Sequence, residues 1–271
     1  MNDLIRRIVL INGVVLFLTF GLSGCQFSAT PLEQPAPTLQ ITPTASPILA
    51  VPTQVLIPTS TPDPLIEQAR AFFEPILAVI ADRPPDFEDD FSTSGGDWQL
   101  FEPYVRIENG SLEINVPEGE TYGSAQHSKM WASDFVFQID VRADVLEGVP
   151  EHVSEVDILL REQASKGGSY SLSLYPQLAK WEIYDHVDGT QLATGSLPDF
   201  ASMGQWMKIV VIARGNQFAV FINDQPISYF VDDTIPDGQN KLGAGSPGGG
   251  KADVKFDNVK FWNLDNVPGL P

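Results

Sequence analysis

The chain has 271 residues, and its 35 acidic and 16 basic side chains give a formal net charge of -19 at pH 7. A surface this acidic repels the phosphate backbone of nucleic acids, so we expect no nucleic acid among the partners of the protein. The chain has a single cysteine, which excludes an internal disulfide and a cysteine-based metal cluster.

Residues 1–24 predict export from the cytoplasm. Arg6 and Arg7 precede an apolar run over residues 8–20, which is shorter than the ~20 apolar residues that a membrane-spanning helix needs. Small residues follow the run, and this succession is the layout of a secretory signal peptide for the general export pathway.

The cysteine closes this segment, in the order Leu22-Ser23-Gly24-Cys25. These four residues resemble the lipobox of bacterial lipoproteins. The resemblance implies cleavage before Cys25, acylation of that cysteine by chains such as palmitate, and attachment to a membrane through the lipid. The protein is then expected in the cell envelope, on the outer side of the cytoplasmic membrane or in the outer membrane. The alternative is a signal anchor in which the cysteine is incidental.

Residues 25–63 form a predicted linker behind the lipidated cysteine. From residue 30 onward the sequence is rich in proline, threonine and serine, and proline at this density favours an extended polyproline II chain. About 35 residues at ~3.1 Å each reach up to ~100 Å. We expect a disordered tether that can hold the following domain away from the membrane; the alternative is plain disorder without a spacing role.

Helical periodicity begins after the linker, in residues 64–83. The apolar side chains recur three or four positions apart. They are Leu65, Ile66, Ala69, Phe72, Phe73, Ile76, Leu77 and Ile80. Pro64 suits the first turn of a helix, whereas Pro75 predicts a kink or a split. We expect this stripe to pack on the domain that follows; the alternative is a protein partner or a membrane surface bound through residues 65–80.

Residues 86–264 are predicted to be strands, followed by a tail at 265–271. Alternating apolar runs recur between turn signals. The runs cover residues 112–116, 135–141, 156–162, 170–175, 180–184, 206–213, 218–222, 227–231 and 254–262. Asn109-Gly110 and Asn223-Asp224 mark tight hairpin turns. Many short strands without intervening helices predict an antiparallel β-sandwich.

Several segments of this region, in this order, resemble the concanavalin A-like jelly-roll superfamily, in particular its laminin-G-like and 3-keto-disaccharide hydrolase-like members. The segments are residues 88–91, 107–112, 135–142, 158–161, 210–215, 220–224 and 254–259. The resemblance implies an all-β jelly-roll sandwich, a fold that lectins, adhesive modules and glycosidases share. Fold alone does not decide among these functions.

An incomplete carboxylate motif argues against glycosidase activity. Glycosidases of this fold carry three carboxylates on one strand, and Glu155 and Asp157 match the first two. Leu159, or Leu160 if the strand has a bulge, occupies the third position. Alternation along the strand predicts that Glu162 faces the opposite side. The resemblance to 3-keto-disaccharide hydrolases supplies no matching catalytic set.

A polar face is predicted from the alternation of side chains along the strands. If these strands lie side by side, their outward residues form one face with charged and aromatic members, which is suited to sugars. The predicted ligand-binding residues are Arg142, Asp157, Arg161, Tyr175, Lys180, Glu182 and Tyr184. The alternative is a plain solvated face with charges paired across strands.

Acidic residues near the two ends of the sandwich predict a structural calcium site. The first and last strands of this fold often run together, and carboxylate oxygens are the ligands that Ca²⁺ prefers. Asp90 and Asp257 are the predicted ligands. The alternative is a pair of solvated or capping carboxylates. The glycine-rich residues 243–250 are predicted to be a flexible rim loop.

These patterns predict a surface-anchored lipoprotein that presents a non-catalytic, lectin-like module for polysaccharide or another extracellular ligand. One alternative is a glycan-processing hydrolase of the 3-keto-disaccharide hydrolase-like group. A second alternative is a structural or interaction protein of the envelope that uses the helix in residues 65–80.

Overall fold

The computed structural model describes residues 64–93, 96–145, 153–163, 167–265, 267 and 270. The predicted signal peptide, Cys25 and the linker lie outside the described residues. Within these residues, no helix is both long and apolar enough to cross a membrane.

One α-helix precedes a succession of strands in the described part of the chain. Helix α1 covers Pro64–Ile80. The strands are β1 Phe87–Asp89, β2 Trp98–Phe101, β3 Val105–Glu108, β4 Ser111–Val116, β5 Tyr122–Ala132, β6 Phe135–Ala143, β7 Glu155–Gln163, β8 Gly168–Tyr175, β9 Lys180–Asp185, β10 Thr190–Ser196, β11 Met207–Arg214, β12 Gln217–Ile222, β13 Gln225–Val231, β14 Gly238–Gly245 and β15 Ala252–Asn263. A short 3-10 helix, Pro176–Leu178, joins β8 to β9.

The described strands form two antiparallel sheets. Sheet A has the order β13-β12-β11-β6-β15-β4-β3, with β1 added beside β15, and sheet B has the order β10-β9-β8-β7-β14-β5-β2. Alternate residues of both sheets meet in one apolar core, which includes Phe137 and Val211 from sheet A and Ile158 and Leu172 from sheet B. This architecture is the predicted jelly-roll β-sandwich.

Each of the nine predicted apolar runs overlaps a strand of the structure. Both predicted hairpins are confirmed, because Glu108 pairs with Ser111 and Ile222 pairs with Gln225 across the two turns. The prediction of a flexible loop over residues 243–250 is wrong in part: Gly243 and Gly245 lie in β14, an interior strand of sheet B, where they pair with β5 and β7.

Helix α1 packs on the outer face of sheet A, as predicted. Ile76 is buried in a second apolar cluster with Phe221 and Trp262 of the sheet, and the Phe73 and Phe221 rings meet edge to face at 4.6 Å. The helix is not divided at Pro75, and apolar residues on both sides of the proline contact the sheet. The stripe that the envelope-partner alternative would offer is therefore occupied within the protein.

Candidate functional site

A groove of about 490 Å³ lies on the outer face of sheet B. Strands β5, β7, β8 and β9 supply its walls and floor. Its lining residues are Tyr122, Glu155, Asp157, Leu159, Ser169, Ser171, Ser173, Tyr175, Glu182, Tyr184 and His186. Four of the predicted ligand-binding residues, Asp157, Tyr175, Glu182 and Tyr184, are among them.

The alternation along β7 and β8 gives the groove its polar lining. On β7, Val156 and Ile158 point into the core whereas Glu155 and Asp157 point into the groove. On β8, core residues alternate with serines that line the groove. Because serine is small, the groove is deeper over β8 than beside the neighbouring aromatic side chains.

Two glycines in β14 make room for groove side chains. A Cβ on Gly243 would overlap the phenol oxygen of Tyr122, and a Cβ on Gly245 would lie 2.7 Å from a carboxylate oxygen of Glu155. Tyr122 can therefore reach from β5 across β14 and donate a hydrogen bond of 2.9 Å to Asp157 on β7. Glycine is needed here for space, since any side chain would displace the phenol.

Asp157 is a buried carboxyl group at the floor of the groove. The Tyr122 hydroxyl donates to one of its oxygens and the Ser173 hydroxyl donates to the other at 3.1 Å. Burial, and next the negative charge of Glu155, raise the pKa of Asp157 to about 7, although the two hydrogen bonds oppose this shift. Burial, together with the charge on Asp157, raises the pKa of Tyr122 well above its ordinary value, so this phenol remains a donor.

Tyr175 joins two further carboxylates of the groove. Its hydroxyl oxygen lies 2.8 Å from Glu155 Oε1 and 2.9 Å from Glu182 Oε1. A phenol has one proton to donate, so two acceptors share a single donor. Burial, and next the hydrogen bond to Glu155, raise the pKa of Tyr175, which keeps the phenol protonated.

Glu182 has additional donors from strands β9 and β10. Lys180 Nζ donates to its Oε2 at 2.6 Å and Gln191 Nε2 donates to the same oxygen at 3.0 Å. Burial alone would raise the pKa of Glu182, but the hydrogen bonds from Lys180 and Tyr175 outweigh it and hold the pKa below its ordinary value. Glu182 is therefore an anion at neutral pH, and Lys180, a predicted site residue, borders the groove through this ion pair.

A β-bulge in β7 corrects two predictions. Leu159 pairs with Lys241 and Glu162 pairs with Gln239, so β7 carries one extra residue between these pairs, and Arg161 has a positive φ of 52° there. The extra residue reverses the alternation. Arg161, predicted to face outward, is fully buried, whereas Glu162, predicted to face the other side, forms an ion pair with Lys241 on the groove side of sheet B.

Arg142 does not lie near the groove, contrary to prediction. It belongs to β6 of sheet A, where it forms an ion pair of 2.6 Å with Asp144 and lies 5.0 Å from the Trp206 ring. The prediction assumed that β6 neighbours β7, but the two strands are in opposite sheets. Local alternation gives the side of a strand, but it does not give the sheet to which the strand belongs.

The predicted calcium ligands lie near the paired first and last strands. Asp89 pairs with Val259 across β1 and β15, as expected. Asp90 accepts a hydrogen bond of 3.0 Å from the Ser92 amide, and Asp257 accepts one of 2.7 Å from the Asn258 amide. In the described residues no group of three His, Cys, Asp or Glu side chains is placed to hold a metal ion, and the calcium site stays a prediction.

Sequence reasoning missed several groove residues. The sequence predicts neither Tyr122 nor His186 as a site residue, because Tyr122 lies in a strand without β-branched residues and His186 follows the end of β9. The His186 ring nitrogen lies 2.9 Å from the Ser171 hydroxyl in the groove. His127 is a different case, since it is buried and stacked on Phe87 at 4.1 Å.

No family model matches the chain, and no curated protein matches it. Solved structures do match. The carbohydrate-binding module CBM66 from Bacillus subtilis has a TM-score of 0.51 at 14% identity, over 62% of this chain and 96% of that one. A β-glucanase from Bacillus licheniformis has a TM-score of 0.52 at 11% identity, over 67% of this chain and 100% of that one.

A third match is a prokaryotic β-1,3-1,4-glucanase, a lichenase derived from a mouse hindgut metagenome. Its TM-score is 0.52 at 11% identity, over 65% of this chain and 98% of that one. At such identities the likeness shows the fold alone. The class that fold and groove define is thus a jelly-roll β-sandwich with an open, carboxylate-rich groove on sheet B.

Proposed function

We propose that the groove of sheet B binds polysaccharide without cleaving it, and that the protein presents this groove in the cell envelope from a lipid on Cys25. The observation that supports binding is the Tyr175 hydroxyl, which Glu155 and Glu182 share. The two carboxylates share one phenol proton, and among the described residues no other side chain donates to Glu155, so Glu155 has unused acceptor capacity. The hydroxyl groups of a sugar are donors that would fill it.

The rest of the groove supports the same class of ligand. Tyr184 offers part of its ring at one edge, beside His186 at a centroid distance of 5.1 Å, and aromatic faces combined with a few placed polar groups are typical of small-molecule sites. The anionic Glu182 also disfavours acidic ligands. We therefore expect neutral polysaccharides to bind more tightly than those containing uronate or sulfate.

The matched structures support the choice of ligand. One is named a carbohydrate-binding module and two are named β-glucanases, so β-glucan is the first polysaccharide to test. The identity is too low to transfer a substrate, and for this reason the ligand class rests mainly on the groove.

Hydrolysis is a second candidate function, favoured by one observation. Glu155 and Glu182 both lie within hydrogen-bond distance of one hydroxyl oxygen, and two nearby carboxylates are what a retaining glycosidase uses. Against this candidate, Leu159 occupies the groove position where the third carboxylate of the strand motif belongs. An assay for reducing sugars released from the bound polysaccharide decides between binding and hydrolysis, and our proposal predicts no release.

Exchanging Glu182 for glutamine is expected to weaken polysaccharide binding by about tenfold or more, because charge-assisted hydrogen bonds become neutral ones. Isothermal titration of the full chain in detergent micelles with mixed-linkage β-glucan oligosaccharides measures the effect. Asp224→Asn is the matched control, since Asp224 also pairs with a lysine at 2.6 Å but lies in the turn between β12 and β13 of sheet A. Equal affinities for the two variants would contradict the proposed groove.

A further inference from the structure

Two large aromatic side chains are exposed on sheet B beyond the groove. Trp131 of β5 is 51% exposed and Phe101 of β2 is 40% exposed. Met130 and Ala132 point into the core, so Trp131 between them points to the groove side of the sheet. Phe101 pairs with Ser124 and contacts Lys241, which places it on that side as well.

The geometry points to a second binding subsite for the same polysaccharide chain, formed by Trp131 and Phe101 together with Gln99, Gln126 and Lys241. We call this set the β2–β5 rim. The inference rests on the proposed function of the groove and adds to it. It assigns the ligand as an extended oligosaccharide that crosses the strands, and not as a monosaccharide or a chain end.

A bulge in β5 fixes the outward position of Trp131. Gln126 pairs with Lys241 and Trp131 pairs with Gln239, so β5 has three more residues between these points than β14 has. The side chain of Asn240 donates to the Met130 carbonyl at 2.8 Å, and that of Gln239 donates to the His127 carbonyl at 2.9 Å. Bulges re-aim side chains next to functional sites, and buried hydrogen bonds hold this one.

Asn240 of β14 also stabilises the bulge in β7, on the other side of its strand. Asn240 is fully buried, and its side-chain oxygen accepts the Arg161 amide of β7 at 3.2 Å. Two bulges therefore flank one asparagine, and the residues after them, Glu162 and Trp131, both turn to the groove side. Single exposed aromatic residues are common on protein surfaces. Trp131 differs from these because buried hydrogen bonds in its bulge fix its outward position.

The rim has little net charge and offers polar groups between its aromatic rings. Lys241 forms an ion pair with Glu162 and lies 5.0 Å from the Phe101 ring. Gln126 donates to Gln99 at 2.6 Å. Amides beside aromatic rings suit the hydroxyls and ring faces of a neutral sugar, and the charge of the lysine is already compensated.

Distance and path fit one ligand over both regions. Tyr184 on β9 and Trp131 on β5 are four strand spacings apart, which is about 19 Å. The strand registers place Tyr184 level with Lys241 of β14 and Trp131 level with Gln239, so the path between the two aromatic residues crosses β14 at Lys241, a residue of the proposed subsite. Several sugar rings are needed to span this distance.

Trp131→Ala and Phe101→Ala test the rim, with Trp206→Ala as the matched control. Trp206 is 40% exposed and contacts Arg142 of sheet A. The full chain in detergent micelles is titrated with a trisaccharide and with a long oligosaccharide of mixed-linkage β-1,3-1,4-glucan. Each rim variant is expected to bind the long oligosaccharide about fivefold to tenfold more weakly, as for loss of an aromatic contact, and the trisaccharide with unchanged affinity.

Three results would overturn the rim. If both variants bind the long oligosaccharide within twofold of the wild-type affinity, the rim does not bind the ligand, and the proposal for the groove is unaffected. An equal loss for both ligand lengths shows a disturbed groove and no separate subsite. A wild-type protein that binds neither oligosaccharide refutes β-glucan as the ligand of groove and rim together. Melting temperatures equal to that of Trp206→Ala show that the variants are folded.

Discussion

Replacing Arg161 with alanine is expected to lower the free energy of unfolding by about 3 to 5 kcal/mol, the cost of breaking a buried charged network. The guanidinium is fully buried. It donates to the Ser133 carbonyl at 2.9 Å and to the Ile235 carbonyl at 3.0 Å, and it lies 3.8 Å from Asp134. Alanine would leave these acceptors unpaired and a cavity beneath the Phe218 ring, which lies 4.7 Å from the guanidinium.

Urea denaturation monitored by circular dichroism measures this loss. Arg70→Ala is the control, because Arg70 is about half exposed and pairs with Glu74 only at the helix surface; pairs of this kind contribute about 0 to 1 kcal/mol. If Arg161→Ala is no less stable than Arg70→Ala, the buried network has no structural role and the outward position predicted from the sequence regains support.

The second large effect concerns Asp157 and pH. The pKa of this buried carboxyl is about 7 in the folded protein, against an ordinary 3.8. Between these values the unfolded chain has lost its proton while the folded protein retains it, so stability falls as pH rises from about 4 to about 7 and levels off above. Asp157→Asn removes this dependence. Its stability relative to the wild type is expected to rise by about a few kcal/mol over that interval.

Denaturation curves of both proteins at pH 4.5, 6 and 8 test the expectation. The difference between them isolates Asp157, since other groups titrate in both. Asp224→Asn, which neutralises an exposed carboxylate, is the control: its free energy of unfolding is expected to differ from that of the wild type by the same amount at all three pH values. If the free energy of unfolding of Asp157→Asn differs from that of the wild type by the same amount at all three pH values, Asp157 ionises normally. That result would contradict the raised pKa expected for a carboxyl group buried at the floor of the groove.

The sequence predicts most of the sandwich because its strands are rich in β-branched and aromatic residues. The run Phe135-Val136-Phe137 in β6 is of this kind and alternates between the two sides of sheet A. Strand β14 was missed because Gly243 and Gly245 are typical of turns. Their role is visible only beside Tyr122, whose side chain fills the space that they leave open.

The groove residues were predictable only where the strands are regular. Alternation along regular strands places Asp157, Tyr175 and Glu182 on one face, and the structure brings them together. It fails for Arg161, because a single extra residue reverses the pattern, and the signal for that bulge is a buried asparagine on a neighbouring strand. It fails for Arg142 because the pairing of strands depends on contacts distant in sequence.

The central claim is that the groove of sheet B is where polysaccharide binds. Two-dimensional NMR of the isotope-labelled chain, titrated with a long mixed-linkage β-1,3-1,4-glucan oligosaccharide, maps the contact by shifts of backbone amides. We expect the largest shifts at Ser171, Ser173, Tyr184 and Trp131, all on sheet B, and none at the hairpin Asn223-Asp224 of sheet A. Saturable shifts confined to sheet A, or no shifts at oligosaccharide concentrations in the millimolar range, would contradict the claim.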